Sequence, residues 1–226
     1  MGKKLLIFGT GPSADVAFQI FQEFTNFIIE GFILDEKFIE KRKHLNKPVY
    51  PYEEIKKSAS FNEVEIFVSI GYSNLNTTRR LKCEQVCEDG FVLASMIHPE
   101  AKLPANFKHG TNCFIMNDVH IHPYVEIGNN NFIWSGVTLC HHVTVGSHCW
   151  FTSGSLVAGN SIVGSHCFLG ASSTITNNIK IGDHCFVGAG SLVTKNMDNQ
   201  TVIIREGDKP YRLNSEQFLK LINNKY

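Results

Sequence analysis

The sequence lacks any net charge. Its 21 Lys and Arg residues are balanced by 21 Asp and Glu residues, and its isoelectric point is near 7.1. Proteins that bind nucleic acid or an anionic membrane through charge carry an excess of basic residues. The balance therefore argues against nucleic acid and against a membrane surface as partners.

The sequence also lacks a long apolar run. No segment approaches the roughly 20 apolar residues that a helix needs to cross a bilayer, and the apolar stretch near the N-terminus is soon interrupted by Gly9, Gly11 and Pro12. With 43% hydrophobic and 19% charged residues, the composition is typical of one large or two small globular domains. We expect a cytoplasmic protein with no membrane partner.

No CxxC motif occurs among the seven cysteines, so the commonest signature of a zinc or redox site is missing. Cys83 and Cys87 lie in a predicted helix, where packing is the favoured role. Cys140 stands beside His141 and is an alternative nucleophile. Packing is also favoured for the four cysteines at the small inward position of the repeat described next, and no metal is expected: Cys113, Cys149, Cys167 and Cys185.

The sequence does contain a strict six-residue period of apolar residues. A period of six fits neither a helix nor an ordinary strand, and it predicts a parallel β-helix in which three hexads form one coil of eighteen residues. Successive coils should stack at the usual strand spacing of about 4.8 Å. The series that fills the interior is Ile115, Ile121, Ile127, Ile133, Leu139, Val145, Phe151, Val157, Val163, Leu169, Ile175, Ile181, Val187 and Val193.

Two further sets of residues recur every eighteen positions. Each aromatic residue precedes an inward aliphatic residue and should point outward, so we expect this ladder to form the contact between subunits. A regular histidine column has no closed coordination shell, which favours a surface ladder over a metal site. The aromatic ladder is Phe114, Phe132, Trp150, Phe168 and Phe186, and the histidine ladder is His148, His166 and His184.

The first part of the chain alternates predicted strands and helices. A strand over residues 3–9 ends in a glycine turn, Gly9 to Ala14, that opens a helix, and such turns approach phosphates. A second strand, residues 28–34, precedes Asp35, and further strands span residues 65–70 and 91–97 on either side of a helix over 75–89. The pattern predicts a small parallel sheet with right-handed crossovers. It is half of a dinucleotide fold and suits a nucleotide-linked substrate better than NAD.

The combined pattern resembles the bacterial hexapeptide-repeat sugar acyltransferases, which include sialic acid O-acetyltransferases and nucleotide-4-amino-sugar N-acetyltransferases. The resemblance implies an α/β half-Rossmann domain over residues 1–97 and an all-β left-handed parallel β-helix over 98–212. Independently of the resemblance, the amphipathic pattern that follows Ser215 predicts a C-terminal helix within residues 213–226, which we expect to cap the last coil. A homotrimer that binds acetyl-CoA between neighbouring subunits is implied as well.

The resemblance also implies roles for individual residues. The pattern H-x-x-x-I/V-G marks His141 as the general base, with Gly159 one coil above as donor to the thioester carbonyl. His142 replaces the usual acidic residue, and Asp118 or Glu126 could reach in instead. Acetyl-CoA would contact Gly159, Asn177 and Lys195, although residues 202–210 lack the usual GVPAK sequence. The acceptor, a nucleotide-linked sugar or sialic acid, would contact Gly9, Gly11, Ser13, Asp35, Gly71 and Arg79.

The expected function is therefore acetyl-CoA-dependent N-acetylation of a nucleotide-linked amino sugar for surface glycan synthesis, by direct transfer. O-acetylation of sialic acid is an alternative within the same class. A non-catalytic β-helix scaffold or a sugar-nucleotide sensor is the alternative of another class. The sequence leaves open the sugar, the base, the acyl chain length and the choice between an N and an O acceptor.

Overall fold

The N-terminal domain is built on a six-stranded sheet in the computed structural model, which describes residues 2–61, 63–207, 209–210 and 212–223. Its strands are β1 (Lys4–Phe8), β2 (Ile28–Leu34), β3 (Lys43–His44), β4 (Lys47–Pro51), β5 (Val64–Val68) and β6 (Val92–Leu93). Its helices are α1 (Pro12–Phe24), α2 (Tyr52–Lys57) and α3 (Thr77–Glu88), with 3-10 turns at Glu36–Phe38 and Ala59–Phe61. The strand order is β3-β4-β2-β1-β5-β6, and only the β3–β4 pair is antiparallel. The predicted parallel sheet is confirmed.

Alternate residues of β1 pack on opposite faces of this sheet, as the two-residue period of a strand requires. Leu6 and Phe8 face the core shared with α2 and α3, whereas Leu5 and Ile7 face α1 and the β-helix. The sheet therefore lies between α2 and α3 on one side and α1 with part of the second domain on the other.

The β3–β4 hairpin was not predicted, because its turn residues are unusual. Leu45 and Asn46 both have left-handed backbone, with φ of 44° and 61°. Two-residue hairpin turns favour Asn and Gly in that conformation, and leucine is a poor signal for it. The sequence between residues 36 and 60 therefore carries no recognisable signal for a hairpin.

The second domain is a three-sided parallel β-helix of short strands. They are β7 (Met96–Ile97), β8 (Phe114–Ile115), β9 (His120–Ile121), β10 (Glu126–Ile127), β11 (Phe132–Ile133), β12 (Thr138–Leu139), β13 (Thr144–Val145), β14 (Trp150–Phe151), β15 (Leu156–Val157), β16 (Ile162–Val163), β17 (Phe168–Leu169), β18 (Thr174–Ile175), β19 (Lys180–Ile181), β20 (Phe186–Val187), β21 (Leu192–Val193) and β22 (Val202–Ile203). The first face consists of β7, β8, β11, β14, β17, β20 and β22. The second face consists of β9, β12, β15, β18 and β21, and the third of β10, β13, β16 and β19. We call the edges between faces one and two, two and three, and three and one the first, second and third corners.

The hexapeptide series fills the interior as predicted. No member of the series from Ile115 to Val193 is more than 7% exposed, and burying each such side chain contributes about 1.5–3 kcal/mol. Tight corners require left-handed backbone, which Asn, Asp and His tolerate better than most residues. His148, His166 and His184 occupy such a position, with φ of 65°, 61° and 57°. The histidine ladder therefore follows from the turn geometry of the third corner.

Both ends of the β-helix differ from the prediction. Met96–Ile97 pairs with Phe114–Ile115, so the β-helix begins two residues before the predicted boundary at residue 98. The predicted strand over 91–97 is in fact two strands in two different sheets. At the other end, Phe186 pairs with Val202, sixteen residues later, whereas Thr174 pairs with Leu192, eighteen later. The last coil is thus two residues shorter than the others.

The aromatic ladder points outward from the β-helix, but its predicted role between subunits is wrong. Phe114 and Phe132 each lie 5.7 Å from the ring of Phe67 in the N-terminal domain. Tyr72 covers Phe168 at 4.8 Å. The α/β domain therefore covers the first face within the same chain, and the burial that we expected from a partner subunit is supplied internally.

The predicted C-terminal helix is present as α4 (Ser215–Asn223), and residues 224–226 of the prediction lie outside the described part. Leu219 and Leu221 are 52% and 41% exposed. The described side chains of α4 therefore bury little apolar surface, and they do not form the expected cap on the last coil. Within the described residues, no helix has the length and apolar character needed to cross a membrane.

Candidate active site

His141 and His142 lie side by side at the second corner, just after β12. Both side chains are exposed, and their Nδ1 atoms are 3.2 Å apart. One Nδ1 must donate and the other accept, because two protonated nitrogens would repel each other. The ring of His142 stacks on Tyr124 with 4.7 Å between centroids. Tyr124 thus supports His142, and His142 in turn contacts His141.

Gly159 lies directly above His141 in the next coil. The backbone N–H of Asn160 donates to the His141 carbonyl at 3.0 Å. A Cβ at position 159 would lie 2.5 Å from Cε1 and 2.7 Å from Nε2 of His141, so only glycine lets the imidazole cross the coil here. Among the described residues, the Gly159 N–H has no hydrogen-bond acceptor. A free donor therefore lies beside the imidazole.

The second corner continues in the same column beyond Gly159. Asn177 and Lys195 follow at intervals of eighteen residues, and both are exposed. The structure thus aligns Gly159, Asn177 and Lys195 with His141 in one column at the second corner. Neither carboxylate proposed as an orienter contacts His141 in the described chain: Asp118 accepts from Asn117, and Glu126 is exposed.

A cleft of about 470 Å³ separates the glycine turn of the α/β domain from the first corner of the β-helix. Gly9 has φ of 123°, and a Cβ there would lie 2.6 Å from the Ser69 carbonyl, so this turn requires glycine. The Ser13 hydroxyl donates to the same carbonyl at 3.2 Å. The lining contains no charged side chain: Gly9, Gly11, Pro12, Ser13, Val16, Ser69, Ile70, Gly71, Tyr72, Trp134 and Trp150.

A second cleft, of about 330 Å³, lies on the other side of the glycine turn. Thr10 belongs to its lining, together with two cationic side chains, Lys41 and Lys43, one carboxylate, Glu40, and the ring of His44. The turn is also the N-terminus of α1, where backbone N–H groups and the helix dipole favour an anion. An uncharged cleft and a cleft with two lysines and one glutamate therefore share a turn whose helix N-terminus favours an anion.

Two residues predicted to bind the acceptor lie elsewhere. Asp35 caps a 3-10 turn and accepts from Lys82 Nζ at 2.8 and 3.0 Å, and it lines neither cleft. Arg79 has no exposed surface. A direct contact between Arg79 and a substrate is therefore incompatible with this structure.

The sequence interpretation missed the aromatic wall of the uncharged cleft. Trp134 was not singled out, and Trp150 was assigned to a subunit contact. Tyr72 follows Gly71 at the carboxyl end of β5, and ligands of open α/β sheets bind at that edge. This was the signal that could have identified Tyr72.

Two alternative chemistries find little support. Burial raises the pKa of the Cys140 thiol above its usual value, which disfavours the nucleophilic thiolate. The histidine rings of the third corner stack at 4.8 and 4.5 Å, and His166 Nδ1 contacts the Leu75 carbonyl. In the described residues, no group of three or more His, Cys, Asp or Glu side chains is arranged to hold a metal.

Together, the fold and the corner column define a hexapeptide-repeat β-helix protein with an attached α/β domain. Residues 108–141 and 160–195 match the family model for the bacterial transferase hexapeptide (six repeats). No curated protein matches the sequence. The repeat and the predicted fold class are confirmed.

Several solved structures share this two-domain fold. The GDP-perosamine N-acetyl transferase from Caulobacter crescentus, in complex with CoA and GDP-perosamine, is 24% identical with a TM-score of 0.80, over 91% of this chain and 97% of that one. The acetyltransferase domain of PglB from Neisseria gonorrhoeae FA1090, in complex with acetyl coenzyme A, is 18% identical with a TM-score of 0.79, over 89% and 96%. WeeI from Acinetobacter baumannii AYE is 15% identical with a TM-score of 0.57, over 89% and 96%. At these identities the similarity establishes the fold.

Proposed function

We propose that the protein transfers an acetyl group from acetyl-CoA to the amino group of a nucleotide-linked sugar. The observation that carries this proposal is the packing of His141 beneath Gly159 at an exposed corner, where the imidazole lies next to an N–H donor that has no acceptor in the described chain. The similar folds from C. crescentus and N. gonorrhoeae were solved with CoA or acetyl coenzyme A, which supports this choice of donor substrate.

His141 acts as the general base in this proposal. The acceptor nitrogen attacks the thioester carbonyl while the imidazole removes its proton, and the Gly159 N–H stabilises the tetrahedral oxyanion. Collapse breaks the C–S bond, and the CoA sulfur leaves with a proton returned by the imidazole. His142 orients His141 in place of a carboxylate, and no acyl-enzyme is required.

The two clefts support a nucleotide-linked acceptor over a free sialic acid. The phosphates would lie over the glycine turn, near Lys41 and Lys43, and the sugar would face the aromatic wall at Trp134. A sialic acid carboxylate in the uncharged cleft would have no cation to pair with, and burying an unpaired charge is costly. GDP-perosamine bound to the C. crescentus enzyme is an acceptor of the favoured kind.

The position of the uncharged cleft supports a homotrimer. The cleft meets the β-helix at the first corner, at Trp134, whereas His141 lies at the second corner, a whole face away and up to about 20 Å of extended chain. A neighbouring copy could bring its own His141 to the cleft. The outward residues of the second face between these corners include no Lys, Arg, Asp or Glu: His120, Thr138, Leu156, Thr174 and Leu192. In this arrangement acetyl-CoA follows Gly159, Asn177 and Lys195 between two copies.

A cytoplasmic location remains part of the proposal. All seven cysteines are free, and free thiols are usual in reducing compartments.

The decisive experiment measures thiol release from acetyl-CoA against a panel of UDP-, dTDP- and GDP-linked amino sugars and free sialic acids. His141→Ala should lower kcat by a factor of about 10²–10⁴, the usual contribution of a general base, while acetyl-CoA binding by calorimetry is retained. Undiminished turnover in a folded His141→Ala protein would remove His141 from the mechanism. A wild-type protein that binds nucleotide sugars but releases no thiol would be a sensor.

A further inference from the structure

Arg79 is a fully buried cation with no counter-charge. None of its surface is exposed, and within the described chain none of its hydrogen-bond partners is a carboxylate. Burial lowers the pKa of its guanidinium to about 10, which still leaves it charged at neutral pH. Burying a charge without an opposite charge is costly. Its presence therefore requires a role that a neutral side chain would not perform.

All the donors of Arg79 are used within the protein. Nε donates to Asn130 Oδ1 at 2.8 Å, and the two Nη atoms reach five more acceptors between 3.0 and 3.4 Å. A guanidinium has five N–H groups, so none remains for a ligand. The five further acceptors are Ile70 O, Gly71 O, Asn76 Oδ1, Asn130 O and Cys149 O.

The contacts of Arg79 reach both walls of the uncharged cleft, by hydrogen bonds on one side and by ring contacts on the other. Ile70 and Gly71, whose carbonyls accept from Arg79, follow the end of β5 and line the cleft on the α/β side. On the β-helix side, the guanidinium carbon lies 4.3 Å from the centroid of Phe132 and 5.4 Å from that of Trp150. Trp150 lines the opposite wall. A single side chain therefore holds both walls.

We propose that Arg79 is a positioning residue for the acceptor: it sets the separation of the two walls of the uncharged cleft without touching the substrate. This inference rests on the proposed function, because that cleft is taken to bind the acceptor. A lysine would keep the charge but has a single ammonium, which cannot bridge both walls with the geometry of a planar guanidinium.

The test compares Arg79→Lys and Arg79→Met with the matched control Arg80→Met. Arg80 is the next residue of α3 and pairs with Glu84 at 2.7 Å on a partly exposed surface. The chain has two tryptophans, Trp134 and Trp150, and both line the cleft, so their fluorescence reports nucleotide binding without turnover. The probes are UDP, dTDP and GDP, followed by the amino sugar of the nucleotide that binds.

We expect the wild type and Arg80→Met to bind the same nucleoside diphosphate and Arg79→Lys to bind it more weakly. For acetyl transfer, Arg79→Lys should lower kcat/KM for the acceptor by about 10²-fold, the effect of misplacing a reactant by about 1 Å. The KM for acetyl-CoA should stay unchanged, because its site is at another corner. Arg79→Lys is the variant on which the conclusion depends if Arg79→Met does not fold.

The possible failures are distinguishable. If no nucleoside diphosphate changes the wild-type fluorescence, the nucleotide site is wrong and the positioning role fails with it. If the wild type and Arg79→Lys bind and turn over alike, the positioning role is overturned and the proposed function stands. An equal loss for acetyl-CoA, or failure of both variants to fold, would make Arg79 a general structural residue and overturn the proposal.

Discussion

At the residue scale, Gly159 is the most restricted position of the candidate site. Gly159→Ala should lower kcat by about 10²-fold or more, because the new Cβ would displace the His141 ring from its place. The fold should survive, since the clashing group is an exposed side chain that can rotate away. Steady-state kinetics and Tm together check this expectation.

Gly207→Ala is the matched control for this substitution. A Cβ at position 207 meets no atom within 4 Å, and Gly207 lies far along the chain from the corner column. Equal kcat for the two alanine variants would mean that the position of the His141 ring does not matter for turnover.

The position of a single residue could be predicted from the sequence only where that residue belongs to the repeat. Gly159 was placed over His141 because positions eighteen apart must stack. Arg79 was misassigned because a helix that follows a strand end can present an arginine either to the cleft or to the other domain. Packing between the two domains decides which of these two Arg79 contacts, and no local sequence pattern encodes that packing.

At the scale of elements, the third corner contains a histidine that must stay neutral. Asn130 Oδ1 accepts from both Arg79 and Asn112, so the Asn130 amide group must donate to His148 Nδ1, at 2.9 Å. A proton on that nitrogen would remove its acceptor. Burial, with a smaller effect of neighbouring positive charge, lowers the pKa of His148 to about 4.

Stability should therefore fall as the pH falls from about 6.5 to about 4. In this window the unfolded chain binds a proton at His148 that the folded chain resists, so lowering the pH favours unfolding. Because the ring is partly exposed to solvent, we expect a contribution of about 1–2 kcal/mol. Tm measured across this range should decline more steeply for the wild type than for His148→Asn.

Asparagine suits this comparison because it tolerates the left-handed backbone of position 148 and offers an oxygen to Asn130 without titrating. Parallel Tm curves for the two proteins would show that the pH dependence arises elsewhere.

The coils of the β-helix were the most predictable elements, since a six-residue period leaves one solution for the interior. The shortened last coil was not predictable, because the apolar series ends at Val193 before the shortening occurs. The β3–β4 hairpin was hidden by Leu45 in a left-handed turn. The position of α4 depends on contacts that its amphipathic pattern does not specify.

At the scale of the whole molecule, the first and second faces of the β-helix have different roles. Phe168 is 9% exposed and packs under Tyr72, so Phe168→Glu should bury an unpaired charge between the domains and destabilise the chain by about 3 kcal/mol. Leu192 on the second face is 62% exposed, so Leu192→Glu should leave chain stability unchanged and weaken the proposed trimer.

Light scattering and thermal unfolding separate these effects. The wild type and Phe168→Glu, at temperatures where the latter is folded, should have three times the 25.4 kDa chain mass. Leu192→Glu should have a lower mass at the same concentration. A trimer unaffected by Leu192→Glu would place the contact on another surface.

The coils that cover the α/β domain are translated after it, and this order affects the nascent chain during synthesis. Phe168 lies about 75 residues after Leu93, the last residue of the N-terminal sheet. At a translation rate of about 5–20 residues per second, Phe168 is therefore synthesised roughly 4–15 s after that sheet is complete. Until then Tyr72 lacks the contact with Phe168 that the finished chain gives it. We therefore expect the nascent N-terminal domain, rather than the finished protein, to be the species most prone to aggregation during synthesis.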